Sequence, residues 1–232
     1  MRKFIKRLFS AFLIIAALIA GWLYFTAATA ANLPPLKPGD IIFQTSTSSQ
    51  SLAILLASAS PYSHMGIIEF DADGKPLVLE AAGPVRSTPL DAWIKRGLGR
   101  RITVKRMTDL SDAQASAILQ AAHKYDGLPY DIYFLPDTDH IYCSELIRLA
   151  YDEGAQIDMG RLQRISELNL DNFATRKVIA RRWQKDPLCQ AAGETFDTCF
   201  AKIQQQELVT PQSIADDPKL QTVFSNFGPL AR

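Results

Sequence analysis

Short apolar strands and amphipathic helices, interleaved along one chain behind an uninterrupted apolar N-terminal segment, predict a single exported domain of mixed α and β structure. Three observations carry this. Residues 40–106 hold several β-patterned runs, two of them joined by the turn Asp71-Ala72-Asp73-Gly74. Residues 111–123 and 143–153 carry apolar positions at helical spacing. Residues 8–25 contain no charge at all.

The chain has 232 residues, 47% of them hydrophobic and 21% charged, which excludes a disordered or collagen-like polymer and suffices for one sizeable core. A net charge of +1 gives no footprint for nucleic acid. That near-neutrality averages unlike parts. The first 31 residues hold four basic side chains and no acid, leaving −3 for the remainder.

Arg2, Lys3, Lys6 and Arg7 precede Leu8–Phe25. Eighteen helical residues span roughly 27 Å, close to the ~30 Å apolar thickness of a bilayer. Ala28-Thr29-Ala30 then has the form of a signal-peptidase site. Residues 1–31 are therefore read as a signal peptide or a membrane anchor. Either places the rest in the periplasm or on the extracytoplasmic face of the cytoplasmic membrane. A Pro-rich spacer over 32–39 leads into a domain over 40–232 that ends in a weakly patterned polar tail.

Within that domain, Asp40–Gln44 reads as a buried strand and Ser48–Ala59 as a helix closed before Pro61. His64–Phe70 and Leu77–Ala81 form a hairpin, Pro89–Gly97 a short helix around Trp93, and Arg101–Arg106 another strand. Ser111-Asp112-Ala113-Gln114 has capping-box form at a helix start. Cys143–Glu153 is helical, with Gly154 as its stop.

Phosphate loops, CxxC pairs and HExxH are absent, and His64, His123 and His140 lack metal-ligand spacing, so neither a metal nor a cofactor is expected. In an oxidising compartment Cys189 and Cys199 read as a disulfide, against the alternative of two packed thiols. That pairing leaves Cys143 free at a helix start, where unpaired N–H groups and the helix dipole favour a thiolate. By position alone a packed cysteine competes with a catalytic one. His64 at the head of a strand and Glu80 as a lone charge in an apolar run are candidates to activate it. The hairpin register decides whether Glu80 faces His64, with Glu69 and Asp71 as rivals.

Leu36-Lys37-Pro38-Gly39-Asp40-Ile41-Ile42-Phe43, Ser63-His64-Met65-Gly66, Glu80-Ala81, Gly127-Leu128-Pro129-Tyr130 and Tyr142-Cys143-Ser144-Glu145-Leu146, in that order, resemble the YiiX/YebB-like group. This is the circularly permuted, papain-like branch of the NlpC-type cysteine hydrolases. The resemblance implies an α+β fold with a small antiparallel barrel or sheet packed on helices. It also implies Cys143 as nucleophile, His64 as base and then acid, and Glu80 as the polar third member. Tyr62 and Gln44 are candidates for a second oxyanion donor, and Tyr142 for the cleft wall. Asp40 is read as structural. The substrate expected first is an amide of cell-wall peptide. A lipid-linked acyl substrate for a hydrolase or acyltransferase, which would need a greasy groove, and a non-catalytic envelope-binding domain are the alternatives.

Overall fold

The computed structural model describes residues 26–136 and 139–227, with residues 9, 12–16 and 21 ahead of them. Most of the apolar run 8–25 lies outside the described residues. Among those described, no helix is long and apolar enough to cross a membrane.

Six antiparallel strands form the central sheet: β1 (Ile41–Gln44), β2 (His64–Phe70), β3 (Pro76–Ala81), β4 (Val85–Pro89), β5 (Ile102–Met107) and, from the chain's end, β8 (Leu220–Ser225). Their spatial order is β4-β3-β2-β1-β5-β8, so the sheet is open, with β4 and β8 at its edges, and not a closed barrel. A separate two-stranded ribbon joins β6 (Gln163–Arg164) to β7 (Glu207–Leu208). Helix α1 (Ser51–Ser58) follows β1, and α2 (Leu90–Arg96) follows β4. Next come α3 (Asp112–His123) and α4 (Cys143–Ala155), and then α5 (Phe173–Arg182), α6 (Phe196–Ile203) and α7 (Pro211–Ala215).

Period-two alternation splits the core in two. Ile41 and Phe43 point into a large cluster with Leu146, Ile147 and Ala150 of α4. Ile42, Ile68 and Val78 pack the opposite face against Leu90, Trp93 and Ile94 of α2. The hairpin register pairs Ile67 with Leu79 and Ile68 with Val78. Glu80 therefore shares the α2 face with Val78, and His64 shares it with Ile68. Gly66 lies between them, and a Cβ there would sit 2.4 Å from Val78 Cγ1. The glycine of Ser63-His64-Met65-Gly66 is required by side chains crossing over it from β3.

The capping box at Ser111 forms, with Gln114 N–H donating to Ser111 Oγ at 3.2 Å. Gly154 is not the stop that its position suggests. Helix α4 continues to Ala155 and ends at Gln156 in the left-handed region, φ 58°. Gly154 instead lets α4 approach α3, since a Cβ on it would lie 2.5 Å from Ile118 Cα. Asp40 receives a two-pronged ion pair from Arg106, 2.7 Å on each oxygen, which ties β1 to β5. The described part of the tail forms helices and strands as well. Cys189 and Cys199 are disulfide-bonded, joining the turn at Pro187–Cys189 to α6.

Candidate active site

Cys143 is the first residue of α4, reached by the extended backbone of Tyr142. An N-terminal position leaves first-turn N–H groups without helical acceptors and adds the positive end of the helix dipole. The thiol is 3% exposed. Burial pushes its pKa up, yet the hydrogen bond and positive charge of His64, a hydrogen bond from Tyr130 and the Met65 backbone N–H outweigh burial and hold it below the usual thiol range.

His64 opens β2. Its Nε2 lies 2.6 Å from Glu80 Oε2, which leaves Nδ1 for the sulfur. Burial alone would lower the imidazole's pKa, but hydrogen bonds and charges of Cys143 and Glu80 raise it to about 9. Near neutral pH the imidazole is accordingly protonated, beside a thiol whose ionisation it favours.

Glu80 has no exposed surface and four donors converge on it. Besides His64, Trp93 Nε1 donates to Oε2 at 2.8 Å, Thr88 Oγ1 to Oε1 at 2.7 Å and Arg96 Nη2 to Oε1 at 2.5 Å. Burial pushes the carboxyl up, but the His64 hydrogen bond and charge, Thr88 and Arg96 bring it down to about 2. Trp93 also stacks on the imidazole, its ring centroid 5.9 Å away. The rival orienters are engaged elsewhere. Glu69 accepts from Ser87 and lies 2.8 Å from His123 Nε2, while Asp71 accepts the N–H groups of Asp73 and Lys75 within its turn.

The remaining candidates separate. Gln44 pairs with His64 across β1 and β2 and lines a groove beside it; its buried Oε1 has no hydrogen-bond partner. Tyr142 forms cavity wall, its hydroxyl accepting from Val209 N–H at 3.2 Å and its ring edge-on to Phe134. Tyr62 is engaged by other partners. Its hydroxyl shares a 2.9 Å hydrogen bond with Thr103, and its ring packs on Phe43. His123 is held between Glu69 and Asp126, remote from the cysteine in its bonding. Tyr130 was not singled out as a site residue, although it closes the Gly127-Leu128-Pro129-Tyr130 segment. Its hydroxyl donates toward Cys143 Sγ at 3.8 Å, and burial and the neighbouring Cys143 hold its pKa well above the ordinary value.

Two cavities meet at these side chains. One has Cys143 on its wall, and the surface it exposes is almost wholly apolar although Gln50, Arg182 and Asp186 also line it. Ala53, Ile54, Ile132, Val178, Ile203 and Leu208 contribute from four separate stretches of chain. The other is lined mainly by polar side chains and carries His64 on its wall. Gln50, Ser63 and Tyr130 line both.

A cysteine at a helix start, facing a histidine and a carboxylate on an antiparallel sheet, defines the papain-like cysteine hydrolases. The chain belongs to the permuted papain-like amidase family YaeF/YiiX (C92), whose model matches residues 35–224. It is 36% identical over 189 residues to the uncharacterised protein YiiX of Escherichia coli K12, covering 81% of this chain and 85% of that one. A crystal structure described as metalloprotein yiiX from Escherichia coli O157:H7 superposes with a TM-score of 0.72 at 36% identity, covering 82% of this chain and 97% of that one. Membership makes this chain a cysteine-peptidase-type hydrolase on an α+β permuted papain-like fold.

Proposed function

We propose that the chain hydrolyses an amide whose acyl side is an apolar chain, with Cys143 as nucleophile, His64 as acid and base, and Glu80 holding the imidazole. The observation behind this is the division of the two cavities. The acyl group stays on sulfur, and the apolar cavity adjoins Cys143. The leaving amine takes its proton from the imidazole, and the polar groove adjoins His64.

The thiolate attacks the carbonyl carbon and forms an S–C bond. The oxyanion meets the Cys143 N–H and the Tyr130 hydroxyl, which lie together. The C–N bond breaks as His64 gives its Nδ1 proton to the amine. Neutral His64 then takes a proton from water, whose oxygen attacks the thioester, and the carboxylic acid leaves as the thiolate and imidazolium are restored.

A cell-wall peptide, the substrate the sequence suggested first, would bring amide groups to walls that offer few partners, at a cost for each one stranded. The lipid-linked acyl alternative fits those walls. The metal named for the relative is not carried over. His64 has Nε2 on Glu80 and bonds the thiol, His123 has both nitrogens on carboxylates, and no group of three or more ligating side chains is placed for a metal among the described residues. Residues 1–31 support a location at the extracytoplasmic face of the membrane, next to such lipids.

A series of N-acyl amides from acetyl to decanoyl tests the acyl side. At about 0.8 kcal/mol per buried methylene, roughly fourfold each, kcat/KM is expected to rise at least ~100-fold before levelling. A flat series, or muropeptide cleavage with no acyl-amide turnover, would overturn it. The pH profile tests the ion pair. A raised imidazole keeps its proton up to about 9, so kcat/KM is expected to fall as pH rises through that value. On the acid side activity falls as the thiolate is protonated, below the ordinary thiol range. An alkaline limb near 6.5, the unperturbed imidazole value, would contradict the pairing.

A further inference from the structure

Arg96 stands between the buried carboxylate and the polar groove. One nitrogen, Nη2, is spent on Glu80 at 2.5 Å, while 40% of the side chain is exposed and it lines the groove beside His64. The guanidinium's remaining N–H groups have no protein acceptor among the described residues. No carboxylate lines the groove; Glu80 lies wholly buried behind Arg96. The loop after β1 also lines the groove with Ser46, Thr47 and Ser48, the hydroxyls of the two serines 3.0 Å apart. Ala82 and Gly83 line it too and bring no charge.

A guanidinium in a groove lined by hydroxyl residues, with no competing acid on its wall, suits an oxyacid group. We infer that this groove is a binding site for an anionic group, carboxylate or phosphate, on the amine half of the substrate, with Arg96 as the residue that selects it. This rests on the acyl-amide hydrolysis proposed above. It adds the other half of the substrate: an apolar acyl chain joined through the scissile amide to a short amine bearing an oxyacid. The anion would lie on the His64 side, where the departing amine is protonated, and would leave with it through the open groove. Arg96 need not release Glu80 to bind it, because only Nη2 is engaged there and the side chain is 40% exposed.

Four decanoyl amides that differ only in the amine separate the possibilities with the full-length chain: glycine (carboxylate), O-phosphoethanolamine (phosphate), ethanolamine (neutral) and 1,2-diaminoethane (cationic). At least one anionic amide is expected to exceed the ethanolamide in kcat/KM by roughly 10–100-fold, carried mainly by KM, with the cationic amide slowest. Whichever anionic amide is faster names the oxyacid. Arg96→Gln is expected to abolish that preference and Arg96→Lys to retain part of it. The ethanolamide rate in Arg96→Gln measures what is lost through Glu80, so the anionic-to-neutral ratio isolates the groove. Ethanolamide turnover equal to or faster than both anionic amides, or a preference surviving Arg96→Gln, would overturn the assignment of the groove alone. Inertness of all four would overturn the acyl-amide reading and this inference with it. The wild-type ratios decide without any variant, so a misfolded Arg96→Gln leaves the test intact.

Discussion

Cys143→Ala is expected to lower amide hydrolysis by roughly 10⁵–10⁶-fold while leaving the fold in place. In the proposed mechanism the sulfur supplies the bond that carries the acyl group, and among the described residues the adjacent serine hydroxyl and the other two cysteines are committed elsewhere. Ser144 is buried with its hydroxyl committed to Val209 O at 2.9 Å, and the other two cysteines are joined in the disulfide. The alanine removes a thiolate that has an imidazolium beside it, so His64 is expected to lose part of its raised pKa and the core to tolerate the smaller side chain. Circular dichroism and thermal melting alongside the kinetics separate loss of chemistry from loss of structure. Residual turnover within tenfold of wild type would remove Cys143 from the mechanism.

Glu80→Gln is expected to cost roughly 10³–10⁴-fold in kcat/KM, because an amide cannot hold both the charge and the orientation of the imidazole. It should also destabilise the fold by about 3–5 kcal/mol, since Arg96 and His64 lose a fully buried partner. The two effects are read apart through pH. The imidazole is held at about 9 partly by Glu80, so the alkaline limb is expected to move down toward 6.5 in the variant. In the wild type the carboxyl lies at about 2, below its unfolded value near 4.5. Its contribution to stability is therefore complete above 4.5 and lost as pH falls through about 2; in Glu80→Gln that acid-side loss is expected to disappear. An alkaline limb that stays near 9 would show that Glu80 is merely structural.

Local chemistry made much of this legible. The Asp71–Gly74 turn, the capping box at Ser111 and the apolar spacing after Cys143 each act within a few residues, and each sits where the pattern puts it. The strands β4 and β8 were not read, and both are edges of the sheet. An edge strand buries little, so Val85–Pro89 carries mostly exposed, polar residues, and Leu220–Ser225 has its apolar Leu220, Val223 and Phe224 at spacings that do not alternate. Gly154 misled as a helix stop because that glycine answers to Ile118 on another helix and not to its own terminus.

The site divides in the same way. Cys143 and His64 could be picked from helix-start and strand-head positions together with the order of motifs. Trp93 and Arg96 could not be assigned to Glu80, because α2 meets β3 only after the sheet has formed. The apolar cavity is the least local feature of all: Ala53, Ile132, Val178 and Leu208 are unremarkable in sequence and become one wall only in the fold.

The decisive measurement is the mass of the full-length chain quenched in acid during turnover of a decanoyl amide. A decanoyl group is expected on the peptide containing Cys143, labile to hydroxylamine as a thioester is, and absent from Cys143→Ala. Turnover with no acyl group on Cys143, or the same group on another residue, would contradict an acyl-enzyme at this cysteine.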